Sequence, residues 1–230
     1  MKKFSALIGA IGVVLALAGC AGAAAPGASS TASSSSPSTS PTPSTEPKTT
    51  AIVIGADELR FVDATGGERG YGYAEPVADV LSAVEDALGP QTGTREVAAT
   101  NHTVPATAHE FGALTIYEKH YSDAVDNDVV IAPVWTVSTQ AASVGGVSVA
   151  ASTGVAVGSS VDDIPGHADV DRLDVFTVNG TSSAYILVEA SSGALLVPDG
   201  VDAAVGVLAA AATWPGPITR LSAPTQFAGA

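Results

Sequence analysis

Residues 76–90, PVADVLSAVEDALGP, are the stretch that decides which fold the sequence predicts. Their apolar side chains recur at intervals of three and four residues, which is the spacing of one face of an α-helix. Pro76 suits a first helical position, and Gly89-Pro90 stops the helix. The apolar stripe is centred on Val80, Leu81 and Val84, so we expect this helix to pack against a sheet.

The sequence on either side of this helix is typical of short strands joined by turns. Runs of β-branched or alternating apolar residues predict strands at 51–54, 59–62, 114–117, 129–137 and 147–150. Pro133 places the 129–137 strand at a sheet edge or a bulge, because proline cannot donate to a strand ladder.

The second half of the chain is a weaker version of the same pattern. Ser159-Ser160 followed by two carboxylates predicts a short helix, which Pro165-Gly166 ends. Further strands are predicted at 173–178, 185–189, 194–197 and 218–221. Residues 205–212 suit either an Ala-rich helix or a strand, and we favour the strand. We therefore expect an α+β fold in which antiparallel sheets carry packed helices, in two similar helix-on-sheet halves, 51–152 and 153–230.

The N-terminal 20 residues have the features of a bacterial secretion signal. Lys2 and Lys3 precede an apolar run, 6–18, that is short for a membrane-spanning helix. The run ends in Leu17-Ala18-Gly19-Cys20, which resembles the lipobox of bacterial lipoproteins. That resemblance implies removal of residues 1–19 and attachment of lipid to Cys20, which would anchor the mature chain to a membrane.

Residues 20–50 predict a disordered tether between the anchor and a globular domain at 51–230. Proline recurs among Ser, Thr, Ala and Gly, and almost no large apolar side chain is present to offset the entropy cost of folding. A chain of this length spans roughly 30 Å as a coil and about 90 Å when extended.

Several short motifs together resemble uncharacterised secreted lipoproteins of high-GC Gram-positive bacteria. They are the lipobox, the Ser/Thr/Pro stalk, the helix ending Leu88-Gly89-Pro90, and the stretches 110–114 and 153–158. The resemblance implies an extracytoplasmic, lipid-anchored location and no particular activity.

Charge and cysteine content exclude several classes of function. The formal net charge is −14, and removal of Lys2 and Lys3 leaves 7 basic against 23 acidic residues. Such a surface repels nucleic acid, so we predict no nucleic-acid partner. Cys20 is the only cysteine, so the folded part has neither a disulfide nor a thiolate site. No phosphate-binding or dinucleotide motif occurs, and we predict no cofactor.

The histidines are the first candidates for chemistry. His102, His109 and His120, with Glu110 or Glu118 nearby, could converge on a metal or a catalytic site. Nothing in their spacing requires it, and surface or loop positions are the simpler interpretation for these and for His167.

The second candidates are two groups of carboxylates. One group contains Asp123, Asp126 and Asp128, and the other contains Asp162, Asp163, Asp169, Asp171 and Asp174. Neither group has the residue order of an EF-hand calcium loop, so we expect these side chains to be solvated carboxylates in loops. No Gly-x-Ser-x-Gly nucleophile motif is present either.

Two hypotheses of function follow. The favoured one is a non-enzymatic envelope lipoprotein, anchored through Cys20, whose sheet face or strand edge binds another envelope protein. The alternative is an envelope hydrolase or metal-dependent enzyme that uses His102, His109 or His120 with nearby carboxylates. We therefore assign no catalytic, cofactor or metal residue from sequence, and only Cys20 as the lipidation site.

Overall fold

The computed structural model describes residues 47–100, 103–121, 133–164, 166, 173–191 and 204–227. The signal region, Cys20 and the tether up to residue 46 lie outside these residues, as do His102, His167 and the 194–197 strand. Residues from Thr45 onward cluster as one compact unit.

The described residues form one α-helix and thirteen strands. The helix is α1 (Val77–Leu88). The first seven strands are β1 (Thr49–Ile54), β2 (Glu58–Asp63), β3 (Glu68–Gly72), β4 (Gly93–Val97), β5 (Ala106–Phe111), β6 (Leu114–Lys119) and β7 (Trp135–Thr139). The remaining strands are β8 (Ser143–Val144), β9 (Val147–Ala151), β10 (Leu173–Val178), β11 (Thr181–Ala190), β12 (Ala204–Ala211) and β13 (Ile218–Phe227).

The strands make two sheets. The smaller has five strands in the order β3-β2-β1-β9-β8, and the larger has eight in the order β10-β11-β12-β13-β7-β6-β5-β4. Neighbouring strands are antiparallel except β1 and β9, which pair in parallel from Ala51 opposite Ser148 to Ile54 opposite Ala151. β13 pairs with β7, so the larger sheet runs without a break through strands from both parts of the chain.

The expected α+β fold is therefore wrong. Of the described residues, 56% are in strands and 11% are helical. The second helix is a single 3-10 turn, Val161–Asp163, capped by Ser160. Without a second packed helix, and with the larger sheet shared between them, 51–152 and 153–230 are not two similar helix-on-sheet halves.

The physical reason lies partly in strands that carry little apolar sequence. β3 (ERGYG) and β4 (GTREV) contain almost no large apolar side chain, yet each pairs with a stronger neighbour. Backbone hydrogen bonds supply that pairing whatever the side chains are.

The predicted strand at 129–137 is also corrected. β7 begins at Trp135, six residues later than predicted, and ends at Thr139, two residues later than predicted. It lies between β13 and β6 inside the larger sheet, so it is not an edge strand. Residues 129–132 lie outside the described part of the chain. The preferred strand over 205–212 is confirmed as β12, which is buried along most of its length.

One cluster of buried apolar side chains joins both sheets and the helix. The helix contributes Val80, Ala83, Val84 and Ala87, while Leu81 is only partly buried. The smaller sheet contributes Ile52, Leu59 and Val149, and the larger contributes Ile116, Ile186 and Leu221. The predicted packing of the helix on a sheet core is thus confirmed for Val80 and Val84.

A group of hydrogen bonds links β11 of the larger sheet to the residues that follow β1. The Glu189 carboxylate accepts a 3.1 Å hydrogen bond from the Ala56 amide and another from the Ser152 hydroxyl. The Ser191 hydroxyl donates to Asp57. The bond between Ala56 and Glu189 and the bond between Ser191 and Asp57 each join residues more than 130 positions apart in the sequence.

Candidate functional site

Two of the candidate histidines lie on the same face of the larger sheet. His109 on β5 lies between Gln91 and Glu118, with Nδ1 3.2 Å from the Gln91 Oε1 and Nε2 3.2 Å from the Glu118 Oε2. The His109 side chain is 13% exposed. His120 follows β6, and its Nε2 lies 2.8 Å from the Thr107 hydroxyl.

These contacts do not have the order that nucleophilic catalysis needs. An activated nucleophile requires the imidazole to lie between a hydroxyl and a carboxylate. The Thr107 hydroxyl bonds the His120 ring, but the nearby Glu96 carboxylate contacts that same hydroxyl, 3.2 Å away, rather than the ring. The ring of His109 contacts Glu118 and an amide, and no hydroxyl. The hydrogen bonds made by His109, His120 and Thr107 link β4, β5 and β6 near the edge of the larger sheet.

Glu110 is not part of this group. It accepts a 2.9 Å hydrogen bond from the Arg95 Nε, and it alternates with His109 along β5, so the two side chains point to opposite faces. Among the described residues, no three His, Cys, Asp or Glu side chains gather closely enough to hold a metal ion.

The acidic groups of the sequence are only partly described. Asp123, Asp126, Asp128, Asp169 and Asp171 lie outside the described residues. Asp162 and Asp163 are in the 3-10 turn, where the Asp163 carboxylate accepts a 3.1 Å hydrogen bond from the Ser160 amide. Asp174 is exposed on β10. The capping role of Asp163 agrees with the helix start predicted from Ser160.

A different feature has the shape of a binding surface: a groove between the open edge of β3 and α1. β3 ends the smaller sheet, so its outer side has no partner strand, although the Gly72 amide and carbonyl at its end already bond Glu75. The groove has a volume of about 370 Å³. One wall consists of Arg69, Gly70 and Tyr71, and the other of Glu75, Asp79, Ser82, Ala83 and Asp86.

The strand wall of this groove is held by the core beneath it. Tyr71 packs edge-on against Phe61 of β2, with ring centroids 5.6 Å apart. Phe61 is 3% exposed. Tyr71 and Arg69 lie opposite Leu59 and Phe61, which places both on the inner face of the sheet, toward α1.

The helix wall is acidic. Asp79, Ser82 and Asp86 are spaced by three and four residues on α1, so their side chains form one stripe along the helix, and Glu75 lies just before the helix on the same wall. Three of them are carboxylates, and all four are exposed. Arg69 is the only basic residue that lines the groove.

Arg69 also lines a second, separate depression of about 260 Å³. Two more carboxylates, Asp63 and Glu68, line this part. Hydrogen bonds from the Thr65 hydroxyl and from the Gly67 and Thr65 amides lower the pKa of Asp63, so its negative charge persists under acidic conditions. The two depressions are therefore lined by five carboxylates and, among the described residues, one guanidinium, although Glu68 is already ion-paired with Arg60 at 3.0 Å.

Comparison with known proteins adds no relative. No family model, no curated protein and no solved structure matches the chain. Within the described residues, no helix is both long and apolar enough to cross a bilayer.

Sequence reasoning missed this groove because it did not predict β3. Asp79, Ser82 and Asp86 lie outside the apolar stripe predicted for the helix, and nothing in the sequence alone places a strand beside them. The available signal was the turn at Thr65-Gly66-Gly67 followed by Arg69-Gly70-Tyr71, which is the pattern of a third strand in a meander.

Proposed function

We propose that the protein is a lipid-anchored lipoprotein of the bacterial envelope that binds another protein and is not an enzyme. Anchoring is through Cys20, on the extracytoplasmic side of the membrane, with residues 20–50 as the tether. The observation that carries the binding role is the unpaired edge of β3 beside α1.

An open edge next to a helix suits strand addition by a partner. The backbone of an extended segment would pair with the outer side of β3, and its side chains on one face would meet the helix wall. The wall and the adjoining depression present Asp63, Asp79 and Asp86, together with Glu68, which is paired with Arg60, and Glu75, which accepts from the Gly72 amide. We therefore propose that the partner supplies an extended segment rich in Lys or Arg, since opposite charge favours encounter and fixes the register.

The charge of the whole chain supports a partner of another kind rather than a second copy. Two copies of a chain with net charge −14 repel one another. The edge itself carries Glu68, which disfavours self-pairing through this strand.

Site-specific photo-crosslinking in intact cells tests this proposal. A photoreactive benzoylphenylalanine in place of Ser82 lies in the groove, and the same residue in place of Ser143 lies on β8, the opposite edge of the same sheet. Both serines are exposed, so they are matched positions. We expect a defined protein adduct at position 82 that is weak or absent at 143, with the crosslink mapping by mass spectrometry to a basic segment.

Removing negative charge from the groove provides a second test of the crosslinking result. Asp79→Asn with Asp86→Asn should reduce the adduct at 82, whereas Asp174→Asn on β10 should not. Equal yields at 82 and 143, or an adduct unaffected by the groove substitutions, would contradict the groove. The absence of any protein adduct at either position would contradict the binding function itself.

A further inference from the structure

Arg220 on β13 is a partly buried cation that has no partner among the residues that the structure describes. Its Nε atom is fully shielded from solvent and makes no hydrogen bond, and the guanidinium forms no ion pair with any residue that the structure describes. By contrast, Arg60 and Arg95 each lie within 3.0 Å of a carboxylate oxygen. A shielded donor that has no acceptor among the described residues requires an explanation, because an unsatisfied buried donor is destabilising.

The strand register places Arg220 in a row across the outer face of the larger sheet. Ala210 of β12 lies directly opposite Arg220, and Tyr185 of β11 lies directly opposite Ala210. Tyr185, Leu187 and Leu208 form a small cluster apart from the main core. The row is thus on the side of the sheet that faces away from that core.

The small residue in the middle of this row leaves a hollow. Neighbouring strands are about 4.8 Å apart, so Tyr185 and Arg220 begin about 10 Å from one another with only the Ala210 methyl group between them. Together with Ala212 this makes the floor of a depression of about 340 Å³, at the lower end of the volumes of small-molecule sites.

The two ends of the hollow differ in chemistry. At one end, the Phe176 and Tyr185 rings lie 5.2 Å apart with an interplanar angle of 30°. At the other, Arg220 and the Gln140 side chain line the wall. The Ser183 and Thr219 hydroxyls donate to the Ala212 and Ala210 carbonyls at 2.9 and 3.0 Å, so their protons are already engaged. The Arg220 Nη groups, the Gln140 amide and the Tyr185 hydroxyl are therefore the side-chain donors of this lining that remain for a ligand.

We propose that this hollow binds a small organic carboxylate whose body is flat and apolar. The carboxylate would accept paired hydrogen bonds from the two Nη groups of Arg220, because the shielded Nε cannot be reached from the hollow, and this pairing matches the planar fork of a guanidinium. The body would lie over Ala210 against the Tyr185 and Phe176 rings. This site is independent of the β3 groove, because it uses other strands of the other sheet.

The test uses the full chain in detergent and 3-phenylpropanoate as the probe, with neutral 3-phenylpropanamide as its matched control. We expect saturable binding of the acid in calorimetry, together with a shift of the Arg220 Nε–H signal in a ¹⁵N–¹H NMR spectrum. The amide should bind about 10- to 100-fold more weakly, the range expected for losing a charged hydrogen-bond pair.

Variants distinguish binding of the acid in the hollow from non-specific attraction of the acid to any arginine. Arg220→Gln should weaken binding of the acid by about 10- to 100-fold, whereas Arg60→Gln on the other sheet should leave it unchanged. Tyr185→Ala should weaken binding of the acid and binding of the amide to the same extent, because it removes the apolar wall of the hollow. The proposal fails if the acid does not bind saturably, if acid and amide bind equally, or if Arg220→Gln binds like the unaltered chain.

Discussion

The Tyr73 and Trp135 rings pack 4.7 Å apart, centroid to centroid, at an interplanar angle of 63°, and both side chains are almost completely buried. The Tyr73 hydroxyl donates a 2.9 Å hydrogen bond to the Gly55 carbonyl just after β1. The Tyr73 carbonyl in turn accepts a 2.8 Å hydrogen bond from the Val134 amide just before β7. A residue that belongs to neither sheet therefore links the end of a strand in one sheet to the start of a strand in the other.

Tyr73→Phe should have an effect on stability that depends on pH. Burial raises the pKa of the Tyr73 hydroxyl well above 10, and the nearby carboxylates of Glu189, Asp57 and Glu58 raise it further. In the unfolded chain the hydroxyl ionises near pH 10, so stability of the unaltered protein falls as pH rises above about 10. The phenylalanine variant does not have this loss. Near neutral pH it should be less stable by about 1 kcal/mol, from the lost hydrogen bond to Gly55.

Denaturant unfolding near pH 7 and above pH 10 measures both stabilities. The deficit of Tyr73→Phe should shrink at the higher pH. A deficit that stays constant across this range would show that the Tyr73 hydroxyl ionises equally in both states.

Val84→Ala tests the core role of α1. Val84 is completely buried, so loss of two methyl groups should lower the free energy of unfolding by about 2 kcal/mol. Glu85→Ala, the next residue, is the matched control because that side chain is exposed and should change stability by less than about 0.5 kcal/mol. Equal thermal midpoints for the two variants would mean that the helix stripe is not part of the core.

Gly206→Ala should be among the most damaging single substitutions. A Cβ atom at this position on β12 would lie 1.8 Å from the Glu189 carbonyl oxygen of β11, at an irregularity in the strand pairing. The added Cβ is attached to the backbone of β12, and the oxygen that it meets belongs to the backbone of β11. Neither atom can rotate away, so the two strands must separate, at a cost of about 3 kcal/mol or more. Chemical denaturation of the purified variant measures this cost.

Gly158→Ala is the control for Gly206→Ala. Its φ is +90° but the space around it is open, so only the conformational cost of about 1–2 kcal/mol should appear. If Gly206→Ala cost no more than Gly158→Ala, the close approach of β11 and β12 would not limit side-chain size.

Cys20→Ala should release the protein from the membrane. The thiol is the only acceptor for lipid in the lipobox that the sequence predicts, and two or more acyl chains make anchoring stable. Detergent partitioning of cell fractions measures the change, with Ser29→Ala in the tether as the control that should stay membrane-bound. Continued membrane retention of the Cys20 variant would contradict lipid anchoring.

Local patterns predicted part of the fold correctly. The three- and four-residue spacing of Val80, Val84 and their neighbours predicted α1, because a helix places those side chains on one face whatever surrounds it. β-branched alternation likewise predicted β1, β2 and β9. These elements could be read from sequence because each contains its own apolar periodicity.

The candidate site could not be predicted in the same way. His109 and His120 were singled out, yet Gln91, Thr107 and Glu96, which contact them, were not, because the contacts depend on the register of β4 with β5. The register is decided by the faces that the sheets bury and not by the histidines. The hollow beside Arg220 likewise needs three strands aligned so that Ala210 lies between Tyr185 and Arg220.

The sequence by itself determined the position of α1, most of the strong strands and the acidic character of the chain. Only the tertiary structure decided that weak segments such as ERGYG become strands, that β1 pairs in parallel with β9, and that β13 joins β7 to complete an eight-stranded sheet. The reason is that helix hydrogen bonds are made within one segment, whereas strand hydrogen bonds are made between segments. Any strand can offer its backbone to any other, so the choice of partner depends on which pairing buries the most apolar surface across the whole core.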